Sequence, residues 1–145
     1  MSSVVVGFDG SANAAYAVGW AMRQATREHA ELTVLAINEV AVSPCNGAPS
    51  VMPQDTVMLE QARKAAEDAA VKAAAELGET SIPPVTVVAK NGFAAQELIA
   101  AARNADLLVL GSRGQLAFPA LRLGTISTKV AQYVNCPVVF VPPVS

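Results

Sequence analysis

Leu107-Leu108-Val109-Leu110-Gly111-Ser112-Arg113-Gly114, nine further residues, and then Gly124-Thr125-Ile126-Ser127-Thr128 is the stretch on which the reading of this chain turns. A strand covered on both faces shows an unbroken apolar run, so Leu107 to Leu110 reads as a buried parallel strand. The helical pattern that begins at Gly124 continues to Val134, and the glycines therefore fall on a strand-to-helix connection. Free backbone N–H groups and the positive end of a helix dipole converge at such a point, which suits a phosphate. Gly111 and Gly114 allow the main chain to come close to a ligand. Gly124, Thr125 and Ser127 supply small donors where the helix starts. The pattern points to a nucleotide.

Outward from that stretch the chain alternates strand and helix. Ser2 to Phe8 is a β-branched run, and Gly7-Phe8-Asp9-Gly10-Ser11 stops it and opens a helix from Ala12 to Ala30, with Ala14, Ala17, Val18, Ala21, Met22 and Ala25 at helical spacing. Leu32 to Ile37 is a second strand, with Asn38 and Glu39 at its carboxyl-terminal rim. The segment from Ala41 to Pro53 holds three prolines, a glycine and two serines, and reads as an irregular loop. Gln54 to Leu77 is a long alanine-rich helix with a charged face, closed by Gly78. Pro84 to Ala89 gives a third strand, Asn91-Gly92 a turn, and Phe93 to Arg103 a helix. Cys136 to Val141 is the fifth strand, ended by Pro142 and Pro143.

Five strands alternating with four helices predict right-handed crossovers and an α/β fold. The expected architecture is a doubly wound, five-stranded parallel sheet of order 3-2-1-4-5 with helices on both faces, Rossmann-like, as a single domain over 1–145. In that order the winding reverses between strands one and four, so a crevice opens beside Asp9 and Gly111.

Composition narrows the function. With 52% hydrophobic residues, 15% charged and a formal charge of −2, the chain has no basic footprint for nucleic acid or for an anionic membrane surface. It shows neither a signal-peptide pattern nor a run of the roughly 20 apolar residues that spans a bilayer, so the expected location is cytoplasmic. Cys45 and Cys136 sit in unrelated contexts and read as free thiols. The single histidine, His29, falls at a helix end with no second histidine to partner it. Neither a GxGxxG turn nor a GxxxxGK[ST] loop occurs. No nucleophile is paired with a base, so no catalytic residue is assigned.

The residues Gly111-x2-Gly114-x9-Gly124-Thr125, together with Val6-Gly7-Phe8-Asp9-Gly10-Ser11 and Cys136-Pro137-Val138, resemble the universal stress protein family over essentially the whole chain, and specifically its ATP-binding branch. One departure is Ala94, where the family frequently has proline. The resemblance implies that ATP is held by Asp9, Gly10, Ile37, Leu110, Gly111, Ser112, Arg113, Gly114, Gly124, Thr125, Ile126 and Ser127. Ile37 would meet the adenine, Asp9 would lie near the ribose and phosphates and help to hold Mg2+ or Mn2+, and the residues from Gly124 to Ser127 would receive the phosphates. It also implies a homodimer through the C-terminal strand and a regulatory, stress-response role with a downstream protein partner. The alternatives are a slow adenine-nucleotide hydrolase and a nucleotide-independent dimeric scaffold.

Overall fold

The computed structural model describes residues 2–78, 82–112 and 125–143. In chain order the elements are β1 (Ser3–Phe8), α1 (Ala12–Glu28), β2 (Glu31–Glu39), β3 (Ala41–Val42), β4 (Pro49–Ser50), α2 (Gln54–Leu77), β5 (Val85–Gly92), α3 (Ala94–Ala102), β6 (Leu107–Gly111), α4 (Thr125–Tyr133) and β7 (Val138–Val141). The main sheet has five strands in the order β5-β2-β1-β6-β7, all parallel. Counting only those strands, this is the expected 3-2-1-4-5 arrangement, with the winding reversed between β1 and β6.

The central strands β1 and β6 are largely apolar because both of their faces are covered. Val4, Val6 and Phe8 of β1 and Leu32, Val34 and Ala36 of β2 turn to the layer of α1 and α2. Val5, Leu35, Leu108 and Leu110 turn to the other layer, with Leu98 of α3 and Val130 of α4. Full burial of each such aliphatic side chain contributes about 1.5–3 kcal/mol. The α1 face is built from Ala14, Ala17, Ala21 and Ala25, all buried, so the helix lies close to the sheet and to Ala66, Ala70 and Ala73 of α2.

Local chemistry sets the ends of α1. Ser11 sits in extended conformation at its N-cap and its Oγ accepts the Ala14 N–H at 3.0 Å. His29 ends it in the left-handed region at φ 55°, its N–H directed to the Ala25 and Thr26 carbonyls. Gly78 closes α2 in the same conformation at φ 70°.

Two expectations are corrected. Asn91 and Gly92 form no turn: β5 continues through them because β2 runs on to Glu39 and pairs Asn38 with Asn91 and Glu39 with Gly92. The segment from 41 to 53 is not irregular throughout, since β3 and β4 form a small antiparallel ribbon that pairs Ala41 with Ser50 and Val42 with Pro49. Gly47, at φ 72°, lies in the connection, which is fastened by Ser43 N–H to Ala48 O at 2.8 Å and Gly47 N–H to Ser43 O at 3.0 Å.

At the amino end of the sheet, the Asp106 carboxylate ties β1 to the start of β6. Its Oδ2 accepts Ser2 N–H at 2.9 Å, Ser2 Oγ–H at 3.1 Å and Ser3 N–H at 3.1 Å. The backbone bonds from Ser2 and Ser3, then the Ser2 hydroxyl, hold the carboxyl below its ordinary value of 3.8. A folded-state pKa below the unfolded one gives a contribution that is present above about pH 4 and is lost as pH falls through the lower folded value. Asp106→Asn is therefore expected to lose less stability than the wild type between pH 7 and about pH 3, measured by urea unfolding at each pH. Equal losses in the two proteins would contradict this linkage.

Candidate functional site

A cleft of about 450 Å³ opens at the carboxyl ends of β1 and β2. Its floor is Phe8, Asp9 and Gly10 after β1 and Ala36 to Glu39 of β2. One wall is α2, through Met58, Gln61, Ala62 and Ala65, and Ala94 at the start of α3 completes it. The carboxyl ends of strands in an open α/β sheet are where ligands bind, because the helix N-termini and connecting loops gather there.

The turn after β1 is held by Asp9, whose Oδ1 accepts the Ser11 N–H at 2.9 Å. Gly10 has φ 86°, a conformation that a side chain disfavours, which explains glycine at that point. Asn38 Nδ2 donates to Asp55 Oδ1 and to Asn91 Oδ1, both at 2.9 Å. Asp55 Oδ2 accepts the Met52 N–H at 2.7 Å. Asn38 and Asp55 are buried, so this network fixes the first turn of α2 to the floor of the cleft. Next to it, Glu39 Oε1 accepts the Ala94 N–H at 2.7 Å and caps α3 from another element. Phe93, the N-cap of that helix, supplies no side-chain cap of its own.

Among the described residues, Asp9 and Glu39 are the charged side chains of the cleft lining, which there includes no lysine or arginine. Apolar walls with a few acceptors and no cation fit the base and sugar of a nucleoside better than a naked polyphosphate. A phosphate group needs N–H donors or a metal ion beside such carboxylates. Among the described residues, no group of three His, Cys, Asp or Glu side chains is placed to hold a metal.

Of the residues assigned from sequence, the cleft brings together Asp9, Gly10 and Ile37. Leu110 is fully buried against α3 and α4. Gly111 meets a helix: a Cβ there would stand 2.8 Å from Asn13 Oδ1. Ser112 N–H donates to Val141 O at 2.9 Å, joining β6 to β7. Arg113, Gly114 and Gly124 lie outside the described residues. Thr125, Ile126 and Ser127 occupy the first turn of α4, with their side chains outside the description. Leu110, Gly111 and Ser112 are not part of the cleft lining.

Sequence reasoning missed Asp55, Met58 and Gln61. The signal for Asp55 was weak, an acidic residue in the first turn of a helix, and its partner Asn38 lies far back in the chain. It also gave Ala94 no part, whereas the N–H of that alanine is what Glu39 grips.

Among related chains, a universal stress protein of Mycolicibacterium smegmatis is 33% identical over 138 residues, which is 95% of this chain and 47% of that protein. The chain thus spans about half the length of that relative. The universal stress protein UspA of Lactobacillus plantarum superposes with a TM-score of 0.74 at 23% identity, covering 97% of each chain. A universal stress protein solved in complex with cAMP superposes with a TM-score of 0.65 at 24% identity, covering 97% of this chain and 96% of that one. These superpositions establish a shared fold. The sequence model of the universal stress protein family matches residues 1–142, and the chain belongs to that family.

Proposed function

We propose that this chain is a regulatory protein that binds adenine nucleotide, ATP with Mg2+ or Mn2+ in the first instance, in the cleft above β1 and β2. The observation that carries this reading is the cleft itself, which joins Asp9, Gly10 and Ile37 with an apolar wall. The base and ribose occupy it, with Ile37 and Met58 as apolar surface. The phosphates extend toward the start of α4 at Thr125, since the first N–H groups of a helix suit an anion. Asp9 shares a divalent cation with those phosphates, which removes the repulsion between carboxylate and anion. The cAMP complex of a fold relative supports the same class of ligand.

Regulation follows from position. The β3–β4 ribbon and α2 both spring from the rim of the cleft, so a ligand that contacts α2 favours one arrangement of that rim over another. A homodimer would pair through β7, which stands at the edge of the sheet. Titration calorimetry with ATP and magnesium is expected to give saturable heat with a dissociation constant in the micromolar range. The absence of heat at millimolar nucleotide, from protein that is folded by circular dichroism, would remove this reading.

A further inference from the structure

We infer that Glu39 is the residue that selects an amino-purine over a keto-purine, by accepting the exocyclic amine of the base; this rests on the nucleotide reading above. Glu39 lies in the cleft lining next to Ile37 and Asn38, at the last position of β2. A glutamate at a strand end would ordinarily sweep through solvent, and ordering it for a ligand would cost conformational entropy. Here the Ala94 N–H holds Oε1 at 2.7 Å, so the carboxylate is fixed before any ligand arrives. That bond is the only one made by the Glu39 side chain among the described residues, which leaves Oε2 able to accept.

A carboxylate with one oxygen already committed offers a single acceptor edge. It suits one amine, rather than the paired N–H groups of guanine, which two free carboxylate oxygens would match. A carbonyl oxygen in place of the amine would set acceptor against acceptor, and a site built to accept a hydrogen bond rejects a ligand that cannot donate it.

Ala94 is what makes this tether available. Where the resemblance leads to proline, Ala94 keeps an N–H, and proline has none to give. The backbone would accept proline without distortion, since Phe93 is extended at φ −99° and ψ 124° and the first helical position favours proline. Ala94→Pro is thus a clean removal of the tether.

The experiment is titration calorimetry of AMP, IMP and purine riboside monophosphate, which share a phosphate and a sugar: IMP carries a carbonyl beside an N1–H in place of the amine, and purine riboside monophosphate lacks the amine without gaining a donor. Wild-type protein is expected to bind AMP about tenfold or more tightly than IMP. Glu39→Gln keeps its oxygen for the Ala94 N–H and so turns its amide NH2 to the base, a donor that opposes the amine of AMP and suits the carbonyl of IMP, and the ratio is expected to fall within about threefold or to invert. Ala94→Pro is expected to weaken AMP several-fold while leaving helix content unchanged. Should Glu39→Gln fail to fold, wild-type protein with purine riboside monophosphate, which lacks the amine, answers the same question, and a loss of about tenfold against AMP supports the assignment. A wild-type preference that survives Glu39→Gln intact, or equal affinity for all three ligands, overturns the role of Glu39 and leaves nucleotide binding standing. No binding of any of them to folded wild-type protein overturns both.

Discussion

Gly111→Ala is expected to lower the unfolding free energy by about 2 kcal/mol, and Gly111→Val by more, because the space beyond its Cα is already filled. A Cβ there would lie 2.8 Å from Asn13 Oδ1, 3.0 Å from Asn13 Cγ and 3.4 Å from the Asn13 carbonyl carbon. A flexible side chain could swing away from such a contact at little cost. Asn13 cannot, since it is buried on α1 and its Nδ2 donates to Val141 O at 3.1 Å, on the strand paired with Gly111. The alanine would push against a group held at both ends, so either α1 shifts or the bond to β7 breaks. No unusual backbone angle enters: among the described residues the left-handed glycines are Gly10, Gly47 and Gly78, and Gly111 is a matter of room. Urea unfolding of Gly111→Ala checks the magnitude through the midpoint at constant slope. Asn13→Ala in the same chain should recover part of the loss, as expected for two groups in contact. Wild-type stability in Gly111→Ala would mean that α1 does not lie so close to β6.

That contact also marks where sequence and structure part. The five strands and four main helices were legible because their signals are local. Leu107 to Leu110 and Val138 to Val141 are unbroken apolar runs, and the alanines of α1 recur at helical spacing. Ser11 and Gly78 announce a start and an end by their own chemistry. Asp9 was expected at the ligand rim because a fold rule puts strand ends there, and Ile37 because of the family resemblance, and both lie in the cleft. Gly111 was read as yielding space to a phosphate, whereas the described neighbour that needs its space is Asn13, remote in the chain. Asn91-Gly92 carries the dipeptide signature of a turn, yet the longer partner strand holds it extended. The Glu39 cap on α3 crosses 55 positions, and no local pattern encodes which backbone N–H a strand-end glutamate will meet.

Asp55→Ala is expected to cost about 2–3 kcal/mol and to weaken nucleotide binding with it. Asp55 is 6% exposed and uses both oxygens, one for Asn38 Nδ2 at 2.9 Å and the other for the Met52 N–H at 2.7 Å. Hydrogen bonds to a carboxylate exceed neutral ones, and removing the acceptor strands its donors. Asn38 would keep its bond to Asn91, but the Met52 N–H has no other partner among the described residues. The first turn of α2 has no side-chain cap at Pro53, so Asp55 is what fastens this end of the helix. Met58 and Gln61 follow within two turns and form the wall of the cleft, which therefore loosens when the helix start is freed. Asp55→Asn separates shape from chemistry: both oxygens face donors, so with Asn38 and Asn91 turned as they are an amide sets an N–H against an N–H either way, and relief requires both neighbouring amides to flip. It is expected to be nearly as damaging as alanine in urea unfolding. An asparagine variant as stable as the wild type would show that filling the space suffices and that the hydrogen bonds to Asn38 and Met52 carry little of the stability.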